Sequence, residues 1–483
     1  MAEVLIIGGG VSGLGAALGL SRDGHSVTVL DRDATEVPPD PDSAFDWDRR
    51  SAPQVRHSHA FLARLRLLLA EHHPDVLDAL LAAGATEMRF GAALPPTLQG
   101  YVPQPDDHEL TMLGCRRTTF EWVLRRTVED EGRVRFRPGV AVDGLIADPG
   151  SPPVVRGVRL AGGGTVHADV VVVAGGRRSA LPEWLAELGC DPVAEEVDDT
   201  GIVYLSRFYR LRDGADLPDR TGPAGADLGY LKYGAFVGDR RTFSLTFAVP
   251  TDDDHLRRVL DEPEVFDAVC GLLAPTAAYV DGRGVPISPV HKMAGLVNRW
   301  REFVPAGNPV VLGLHAIGDT RLCTNPLYGR GCSTGFWHGH LLREVVRAHP
   351  GDLRDQAVAL AAATEEHLVP WYRSSVIQDA EARRVAAALL AGQDPDGDTT
   401  DPRTFIRGVL RDGLLPALRL DAVVLRAFLR QLNLLTKPDA LTTDPELQSR
   451  VLAIWQSRDQ RPAEAPLGPR RREDLLEAVD RAA

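Results

Sequence analysis

EVLIIGGGVSGLGAALGLSRDGHSVTVLD, residues Glu3 to Asp31, is the stretch that decides the fold. Its pattern of apolar residues and glycines predicts a strand, a tight turn, a helix and a second strand, which together make one βαβ unit. Gly8, Gly10 and Gly13 follow the G-x-G-x-x-G spacing at the junction of strand and helix. Gly8 permits the turn, Gly10 lets the backbone approach a pyrophosphate, and Gly13 allows the helix to pack closely on the sheet. The segment therefore predicts a dinucleotide-binding site.

Two further features support that site. Val11 and Ser12 lie at the predicted helix N-terminus, whose free N–H groups and dipole favour phosphate. Asp31 ends the second strand, where a carboxylate accepts hydrogen bonds from a ribose diol. Arg32 follows it and has two interpretations: a contact with the 2′-phosphate of NADP, or a side chain that stacks on adenine or lies in solvent. The βαβ unit alone does not choose between FAD and a nicotinamide dinucleotide.

The rest of the chain predicts an α/β protein with several regions. Val170 to Val173 are apolar at every position, which indicates a parallel-sheet strand buried on both faces, and a last buried strand is predicted over 309–314. Residues 200–250 alternate aromatic and polar side chains, which predicts antiparallel strands exposed on one side. From Asp352 onward the pattern is almost wholly helical. At 483 residues the chain is long enough for two or three structural regions.

Composition argues against several classes of function. The net charge of −13 disfavours a nucleic-acid partner. No apolar stretch approaches the roughly 20 residues of a membrane span, and no basic region precedes the apolar N-terminus, so we expect neither a transmembrane segment nor an export signal. The five cysteines form no C-x-x-C pair, which is typical of a reducing compartment. We expect a cytoplasmic protein.

The segment from Gly318 to Pro326, GDTRLCTNP, resembles the GD-x6-P motif of flavoprotein monooxygenases similar to p-hydroxybenzoate hydroxylase. That resemblance implies that Asp319 holds the ribityl chain of FAD. It also implies that Pro326 and the turn through Gly329 and Gly331 present backbone N–H groups to the pyrophosphate and the flavin ring, where a glycine-rich helix start stabilises negative charge. The cofactor that the resemblance implies is FAD.

Two shorter segments carry the same resemblance. Arg117, in GCRRTTFEWVLR, matches the helix-start arginine that contacts FAD in the family. AGGRRS, which includes Gly176, resembles the middle motif of the family, but Gly175 stands where the family usually has an acidic residue. In the family that acid is tied to both FAD and NAD(P)H binding. Its replacement puts direct use of a nicotinamide in doubt.

Within the superfamily the chain is similar in style to actinobacterial polyether-type flavin epoxidases. The similarity lies in PQVRHSH at 53–59, in VDDTGIVYLSR at 197–207, and in the NPLYGRG turn. Arg56 and His57, in the first of these, are predicted either to lie near the flavin or to belong to a plain surface loop. The residues predicted to bind the cofactor are Gly8, Gly10, Val11, Ser12, Gly13, Asp31, Arg32, Arg56, His57, Arg117, Val142, Gly176, Gly318, Asp319, Pro326, Gly329 and Gly331.

The resemblance implies an α/β fold with a three-layer ββα Rossmann-like FAD-binding domain of the glutathione-reductase-2 type, an inserted antiparallel-sheet substrate domain and a C-terminal helical region. We expect the FAD-binding domain to be discontinuous over 1–90, 110–195 and 295–350. The substrate domain is expected over 91–109 and 196–294, and the helical region over 351–483. The candidate substrate-contacting residues, on the predicted antiparallel sheet, are Tyr204, Phe208, Tyr233 and Phe236.

The resemblance implies an FAD-dependent monooxygenase, a hydroxylase or an epoxidase, that inserts one oxygen atom from O2 into a small organic substrate such as a secondary metabolite. In the family the reaction runs through a flavin hydroperoxide, so the cofactor carries the chemistry and no catalytic side chain is predicted. Electrons would come from NADH or NADPH, directly or through a separate flavin reductase. The alternatives are a flavin-dependent reductase or dehydrogenase on the same fold, and a non-catalytic flavoprotein that binds a partner. A halogenase is less favoured, because the chain has no G-W-x-W-x-I-P segment.

Other conspicuous residues have plainer interpretations. The His57–His59 and His338–His340 pairs lack an acidic or cysteine partner at ligand spacing, so no metal site is expected. Cys332 follows the glycine turn without a resolving cysteine nearby, which favours a packing role over a redox role. The amphipathic run at 414–435 is either a membrane-surface helix or, as we favour, a helix packed over the flavin domain.

Overall fold

The fold is taken from a computed structural model, which describes residues 1–92, 94–98, 101–219, 224–462 and 465–482. The strands in chain order are β1 (Glu3–Ile7), β2 (Ser26–Asp31), β3 (Thr86–Met88), β4 (Met112–Gly114), β5 (Val134–Pro138), β6 (Val142–Asp148), β7 (Val154–Leu160), β8 (Thr165–His167), β9 (Val170–Val173), β10 (Ala194–Asp199), β11 (Ile202–Leu211), β12 (Gly225–Asp227), β13 (Lys232–Val237), β14 (Thr242–Pro250), β15 (Gly284–Pro286), β16 (His291–Met293), β17 (Val297–Glu302), β18 (Leu314–Ala316) and β19 (Leu322–Cys323). The α-helices are α1 (Val11–Arg22), α2 (Ala63–His72), α3 (Pro74–Ala82), α4 (Arg117–Asp130), α5 (Leu181–Glu187), α6 (Asp254–Val259), α7 (Pro263–Leu272), α8 (Ala274–Ala277), α9 (Gly331–Ala348), α10 (Leu353–His367), α11 (Val369–Leu390), α12 (Pro402–Val409), α13 (Leu415–Leu420), α14 (Ala422–Leu432), α15 (Ala440–Thr443), α16 (Pro445–Gln456) and α17 (Arg472–Ala482). The predicted substrate-domain segments include residues 93, 99, 100 and 220–223, which lie outside the described residues.

A five-stranded parallel sheet in the order β18-β9-β1-β2-β5 forms the centre of the fold. The βαβ unit predicted at the N-terminus is β1-α1-β2. Val170 to Val173 of β9 are all buried, as predicted, because β9 lies inside the sheet between β18 and β1. The strand predicted over 309–314 is displaced, since β18 begins at Leu314 and Leu312 instead bridges to Val154 at the start of β7.

Two layers cover the parallel sheet. Side chains of a strand point alternately to opposite faces. Val4 and Ile6 of β1 therefore pack in one core with Leu14 of α1 and Phe336 of α9, whereas Leu5 packs in a second core with residues of the antiparallel sheet β6-β7-β8. This three-layer ββα arrangement confirms the predicted Rossmann-like fold class.

A six-stranded antiparallel sheet has the order β12-β13-β14-β11-β15, and β16 also pairs with β11. The antiparallel pairing was expected, but the expectation that one face is exposed is wrong, because β11 and β14 are buried along almost their whole length. One face packs Leu205, Phe243 and Phe247 against α7 and α17. The other face carries hydroxyl side chains and is covered by His57 and Ser58. Polar residues on this strand face mark a buried site rather than a surface exposed to solvent.

The amphipathic run at 414–435 folds into α13 and α14 and packs on the rest of the protein. Asn433, just after α14, accepts a hydrogen bond from the Ala63 N–H at the start of α2 at 2.8 Å. Arg426 of α14 forms an ion pair with Asp107 at 2.7 Å. The packed interpretation of this run is therefore the one that the contacts support. Among the described residues, no helix combines the length and the apolar character needed to cross a membrane.

Candidate functional site

A cleft of about 290 Å³ lies at the carboxyl ends of β1, β2 and β9, the edge where parallel α/β sheets bind ligands. The predicted cofactor residues that line it are Gly8, Gly10, Val11, Ser12, Asp31, Arg32, Arg117, Val142, Gly176, Asp319 and Gly331. A second cavity of about 130 Å³ shares five of these residues, namely Arg32, Arg117, Gly176, Asp319 and Gly331. It is also lined by His57, Pro326 and Gly329.

The turn after β1 leaves an open cradle at Gly10. Gly8 has a φ of +108°, and a Cβ there would lie 2.4 Å from the Ala174 carbonyl oxygen. A Cβ at Gly13 would lie 1.9 Å from the Gly8 carbonyl oxygen, whereas a Cβ at Gly10 would meet no atom within 4 Å. Backbone packing therefore requires Gly8 and Gly13. Gly10 instead keeps space open at the N-terminus of α1, where a pyrophosphate fits.

Asp31 lies beside a buried cation that sequence reasoning missed. Its Oδ2 accepts a hydrogen bond from the Gly9 N–H at 3.1 Å, and Arg49 Nη2 lies 3.6 Å away. Arg49 also donates to the Gly9 carbonyl at 3.0 Å and lies 3.4 Å from Glu121 Oε2. Arg49 is buried and lines the cleft. No local signal distinguishes it from Arg50, because only the tertiary packing buries one of these neighbours and exposes the other.

Arg117 is held in the wall between the two cavities. Its Nε donates to Glu121 Oε1 at 2.7 Å, and its Nη1 lies 3.1 Å from His59 Nε2. A guanidinium only donates hydrogen bonds, so His59 Nε2 must accept and its Nδ1–H must donate to the His57 carbonyl at 2.9 Å. Burial, together with the charge of Arg117, lowers the pKa of His59 well below its ordinary value. The neutral ring is the form that this chain of hydrogen bonds requires.

Asp319 presents an open acceptor to both cavities. Burial raises the pKa of its carboxyl group, and the positive charges of Arg117 and Arg177 oppose that shift. No group of the described residues donates a hydrogen bond to this carboxylate. A secluded carboxylate without a protein donor favours a ligand that donates, and a ribityl hydroxyl would do so. Together with the cradle at Gly10, this acceptor means that the residues present fit FAD.

A row of linked hydroxyl groups joins His57 and Ser58, which line the second cavity, to the antiparallel sheet behind them. His57 Nδ1 lies 3.1 Å from Ser206 Oγ, which lies 2.9 Å from Thr246 Oγ1. Ser58 Oγ joins Thr246 Oγ1 at 2.6 Å and Ser244 Oγ at 2.7 Å. These hydroxyls come from β11, β14 and the segment before α2. The row holds the His57 ring through its Nδ1.

His57 and Tyr204 place two polar groups on the wall of the second cavity, next to Met293 and Leu296. Their ring centroids lie 6.3 Å apart in an edge-to-face arrangement. Burial, and to a smaller extent His291, lowers the pKa of His57 to about 3. Burial raises the pKa of the Tyr204 phenol. Because Ser206 occupies Nδ1 of a neutral imidazole, Nε2 is the His57 nitrogen left for a ligand.

Known proteins with related sequences and folds identify the class. Residues 3–37 match the family model described as FAD dependent oxidoreductase. PqsL, a probable FAD-dependent monooxygenase from Pseudomonas aeruginosa, has the same fold, with a TM-score of 0.55 and 16% identity over 80% of this chain and 96% of PqsL. The N-terminal match and the shared fold are those of an FAD-dependent oxidoreductase. The chain is 28% identical to protein Rv3254 of Mycobacterium tuberculosis over 97% of its own length and 98% of that protein. It is 24% identical to aklavinone 12-hydroxylase DnrF of Streptomyces peucetius over 83% of each chain.

Three predicted cofactor residues line neither cavity of the oxidoreductase. Gly13 and Gly318 lie behind the cleft wall, where added Cβ atoms would meet the Gly8 carbonyl and the Ser12 hydroxyl. Arg56 turns away and donates to a main-chain carbonyl at 3.3 Å. The two glycines therefore act on the shape of the cleft, and the structure places Arg56 outside both cavities.

Of the four aromatic residues predicted to contact the substrate, Tyr204 is the one that lines the second cavity. Phe208 lies farther along β11 and packs edge-on against Phe45, with ring centroids 5.6 Å apart. Tyr233 faces the core beneath α7 and donates to a main-chain carbonyl of the C-terminal segment at 2.6 Å. Phe236 is half-buried and lines neither cavity. Tyr233 and Phe236 belong to β13, which β14 separates from β11, so the sheet order keeps them from the cavity wall.

The histidines of α9 have structural partners. His338 Nδ1 accepts a hydrogen bond from the Gly318 N–H at 3.2 Å, and His340 Nε2 lies 3.1 Å from His73 Nε2. Burial raises the pKa of Cys332 to about 11, so this cavity-lining residue is a neutral thiol. Within the part of the chain that the structure describes, no group of three or more His, Cys, Asp or Glu is placed to hold a metal ion.

Proposed function

We propose that the oxidoreductase is a monooxygenase that inserts one oxygen atom from O2 into a small organic substrate held in the second cavity. The observation that carries this proposal is the shared wall, because Arg117, Asp319 and Gly331 line both the cleft and the second cavity. A cofactor in the cleft would face a substrate across that wall. The hydroxylase name of the relative DnrF supports hydroxylation, and the resemblance to polyether-type enzymes supports epoxidation as the second form of the reaction.

FAD, when bound, supplies the activation of O2. We assign its binding to the discontinuous domain of residues 1–90, 110–195 and 295–350. The N–H groups at the start of α1 would hold the pyrophosphate over Gly10, and Asp319 would accept a hydrogen bond from the ribityl chain. Asp31 would accept hydrogen bonds from the ribose.

The substrate side of the site combines apolar and polar groups. Met293 and Leu296 supply apolar surface, while His57 Nε2 and the Tyr204 hydroxyl supply two points for hydrogen bonding. Because the Ser206 hydroxyl either donates to or accepts from Nδ1, the neutral His57 ring has access to both tautomers. It would therefore bind a substrate hydroxyl or a substrate carbonyl. A polyketide-like molecule that carries both groups fits this wall.

His57→Phe is expected to lower kcat/KM by about tenfold to a hundredfold, because the ring shape is kept while both hydrogen-bonding nitrogens are lost. We expect the Kd for FAD to stay within about twofold, since this role of His57 is on the substrate side. Steady-state kinetics and flavin fluorescence titration measure the two quantities. The control is His108→Phe, at an exposed residue that lines neither cavity. A loss of FAD affinity with unchanged kcat/KM would show that His57 acts on the cofactor and not on the substrate.

The same variant tests the burial of neutral His57. Its folded pKa of about 3 lies below the ordinary histidine value of 6.5, so the folded protein binds fewer protons than the unfolded chain below pH 6.5. The stability that depends on His57 being neutral is fully present above pH 6.5 and is lost as the pH falls towards 3. Between about pH 7.5 and pH 5, the unfolding free energy of the wild type should fall by about 2 kcal/mol more than that of His57→Phe. Urea unfolding at the two pH values measures this difference, and equal decreases would contradict it.

The electrons are proposed to come from NADH or NADPH, directly or through a separate flavin reductase. Gly175 offers no carboxylate at the rim of the two cavities. Arg32, Arg177 and Arg178 line the second cavity, and such a group of cations suits an anionic donor. Stopped-flow reduction of the holoprotein by each nucleotide tests the direct route. Rapid bleaching without a partner protein would refute the need for a reductase.

Isotopic labelling tests the proposed reaction itself. The holoprotein, reduced by light or by a flavin reductase, would be mixed with 18O2 and aklavinone as the first probe, followed by related polyketides. Incorporation of one labelled oxygen atom into a product is the expected result. Reduced flavin that stays stable in air with every probe would favour a reductase or dehydrogenase, and a protein that neither contains nor takes up FAD would overturn the assignment of the cleft.

A further inference from the structure

The turn between β19 and α9 is fastened to one face of the C-terminal helix α11. Asp379 Oδ1 accepts hydrogen bonds from Asn325 Nδ2 at 2.9 Å and from the Tyr328 hydroxyl at 2.7 Å. Asp379 lies on the same face of α11 as Trp371 and Ser375, because these residues are spaced by four positions. The turn that resembles the flavin-facing segment of the family thus has its anchor outside the predicted FAD-binding domain.

Asn298 of β17 closes the network around Asp379. Its Nδ2 donates to Asp379 Oδ2 at 2.7 Å, and its Oδ1 accepts the Asn325 N–H at 2.8 Å. The Asn325 Oδ1 in turn accepts the Leu327 N–H at 2.9 Å, which closes the turn. Asp379, Asn298 and Asn325 are each at most 1% exposed. Three donors converge on Asp379, so this position requires a group that accepts at both oxygens.

Arg330, the last residue before α9, is held by the same face of α11. Its guanidinium lies 4.7 Å from the ring centroids of both Tyr328 and Trp371, and Nη1 donates to Ser375 Oγ at 3.1 Å. It is buried, and its Nε has no hydrogen-bond partner among the residues that the structure describes. The position of this cation therefore depends on the rings of Tyr328 and Trp371 and on the Ser375 hydroxyl.

We infer that Asp379 is a positioning residue for the flavin, acting through Asn325 and Tyr328 on the turn from Pro326 to Gly331. The inference rests on the proposed placement of FAD in the cleft. Gly331 lines both the cleft and the second cavity, and Pro326 and Gly329 line the second cavity beside that shared wall. Gly329 has a φ of +65°, so the direction of the backbone N–H groups depends on how the two ends of the turn are held. Asn325 and Arg330 are those ends. Through Asp379, the C-terminal helical region thereby contributes to the flavin site.

Asp379→Asn tests this role with an isosteric change. The amide would place an N–H₂ group against at least one of the three donors and leave it unsatisfied. We expect the Kd for FAD to rise by about tenfold or more, and the visible absorption band and reduction potential of bound flavin to shift. The matched control is Glu381→Gln on the same helix, whose carboxylate pairs with Arg384 and Arg407 instead of the turn. For it we expect FAD affinity and spectrum to equal those of the wild type.

Each result decides between positioning and mere structural support. An Asp379→Asn protein with lower thermal stability but wild-type FAD affinity, spectrum and potential would overturn the inference. Should that variant fail to fold, Tyr328→Phe removes one donor and leaves the ring under Arg330, and an unchanged flavin spectrum and FAD Kd would likewise overturn it. A wild-type protein that does not bind FAD contradicts the proposed function instead, so the two failures are distinguishable.

Discussion

Gly10→Val is expected to abolish FAD binding and to leave the apoprotein folded. Gly10 has φ −87° and ψ −176°, an extended conformation that valine adopts readily, and a Cβ there would meet no atom within 4 Å. The new methyl groups would fill the cradle at the start of α1, where the backbone must approach a pyrophosphate. We expect the Kd for FAD to rise more than about a hundredfold, or about 2.7 kcal/mol. Fluorescence titration of the apoprotein measures the affinity, and circular dichroism measures folding.

Gly13→Val is the contrasting variant for the same turn. Its Cβ would lie 1.9 Å from the Gly8 carbonyl oxygen, so the added side chain would push the helix off the strand. We expect a loss of about 3 kcal/mol or more in the free energy of unfolding, measured on the apoprotein. Gly10→Val should therefore lose FAD binding, whereas Gly13→Val should lose stability. Stoichiometric FAD in purified Gly10→Val would refute the placement of the pyrophosphate.

Arg49→Met is expected to lower the free energy of unfolding of the apoprotein by about 3 to 5 kcal/mol. The Arg49 side chain is 2% exposed, and it lies 3.6 Å from Asp31 and 3.4 Å from Glu121, which are themselves buried. Methionine keeps much of the apolar volume beside Trp47 but removes the positive charge beside Asp31 and leaves Glu121 with Arg117 alone of its two neighbouring arginines. Because Asp31 borders the cleft, we expect weaker FAD binding as well. Urea unfolding of the apoprotein separates the stability effect from the cofactor.

Arg50→Met is the matched control for this prediction. Arg50 is the next residue, its side chain is 86% exposed, and its ion pair with Asp48 lies at the surface. Exposed pairs contribute little, so we expect a change within about 0.5 kcal/mol. Arg49→Lys keeps the charge and should lose less stability than Arg49→Met. Equal unfolding midpoints for the Arg49→Met and Arg50→Met variants would show that the buried cluster is not held by Arg49.

The part of the site that could be predicted from sequence is the part made by short segments. Recognisable motifs at the ends of strands contain the glycine turn, Asp31 and Asp319. The structure brings these residues to one cleft. The alternation of side chains over 200–250 correctly predicted antiparallel strands, but the predicted exposure of one face was wrong. A period of two separates the two faces of a strand and does not say what covers each face. The hydroxyl face of β11 and β14 is covered by residues 57 and 58, which are far away in the sequence.

By itself, the sequence predicted a dinucleotide site at the first βαβ unit, because the spacing of its glycines along the chain sets their geometry. The resemblance of the segment from Gly318 to Pro326 to flavoprotein monooxygenases implied that the dinucleotide is FAD. The tertiary structure alone decided which arginine lies beside Asp31, which nitrogen of His57 contacts Ser206, and which helix holds the turn from Asn325 to Arg330. His57 and Ser206 are 149 positions apart, and Asn298 and Asp379 are 81 apart. Contacts across such separations arise from packing of whole layers, and no local pattern of residues encodes them.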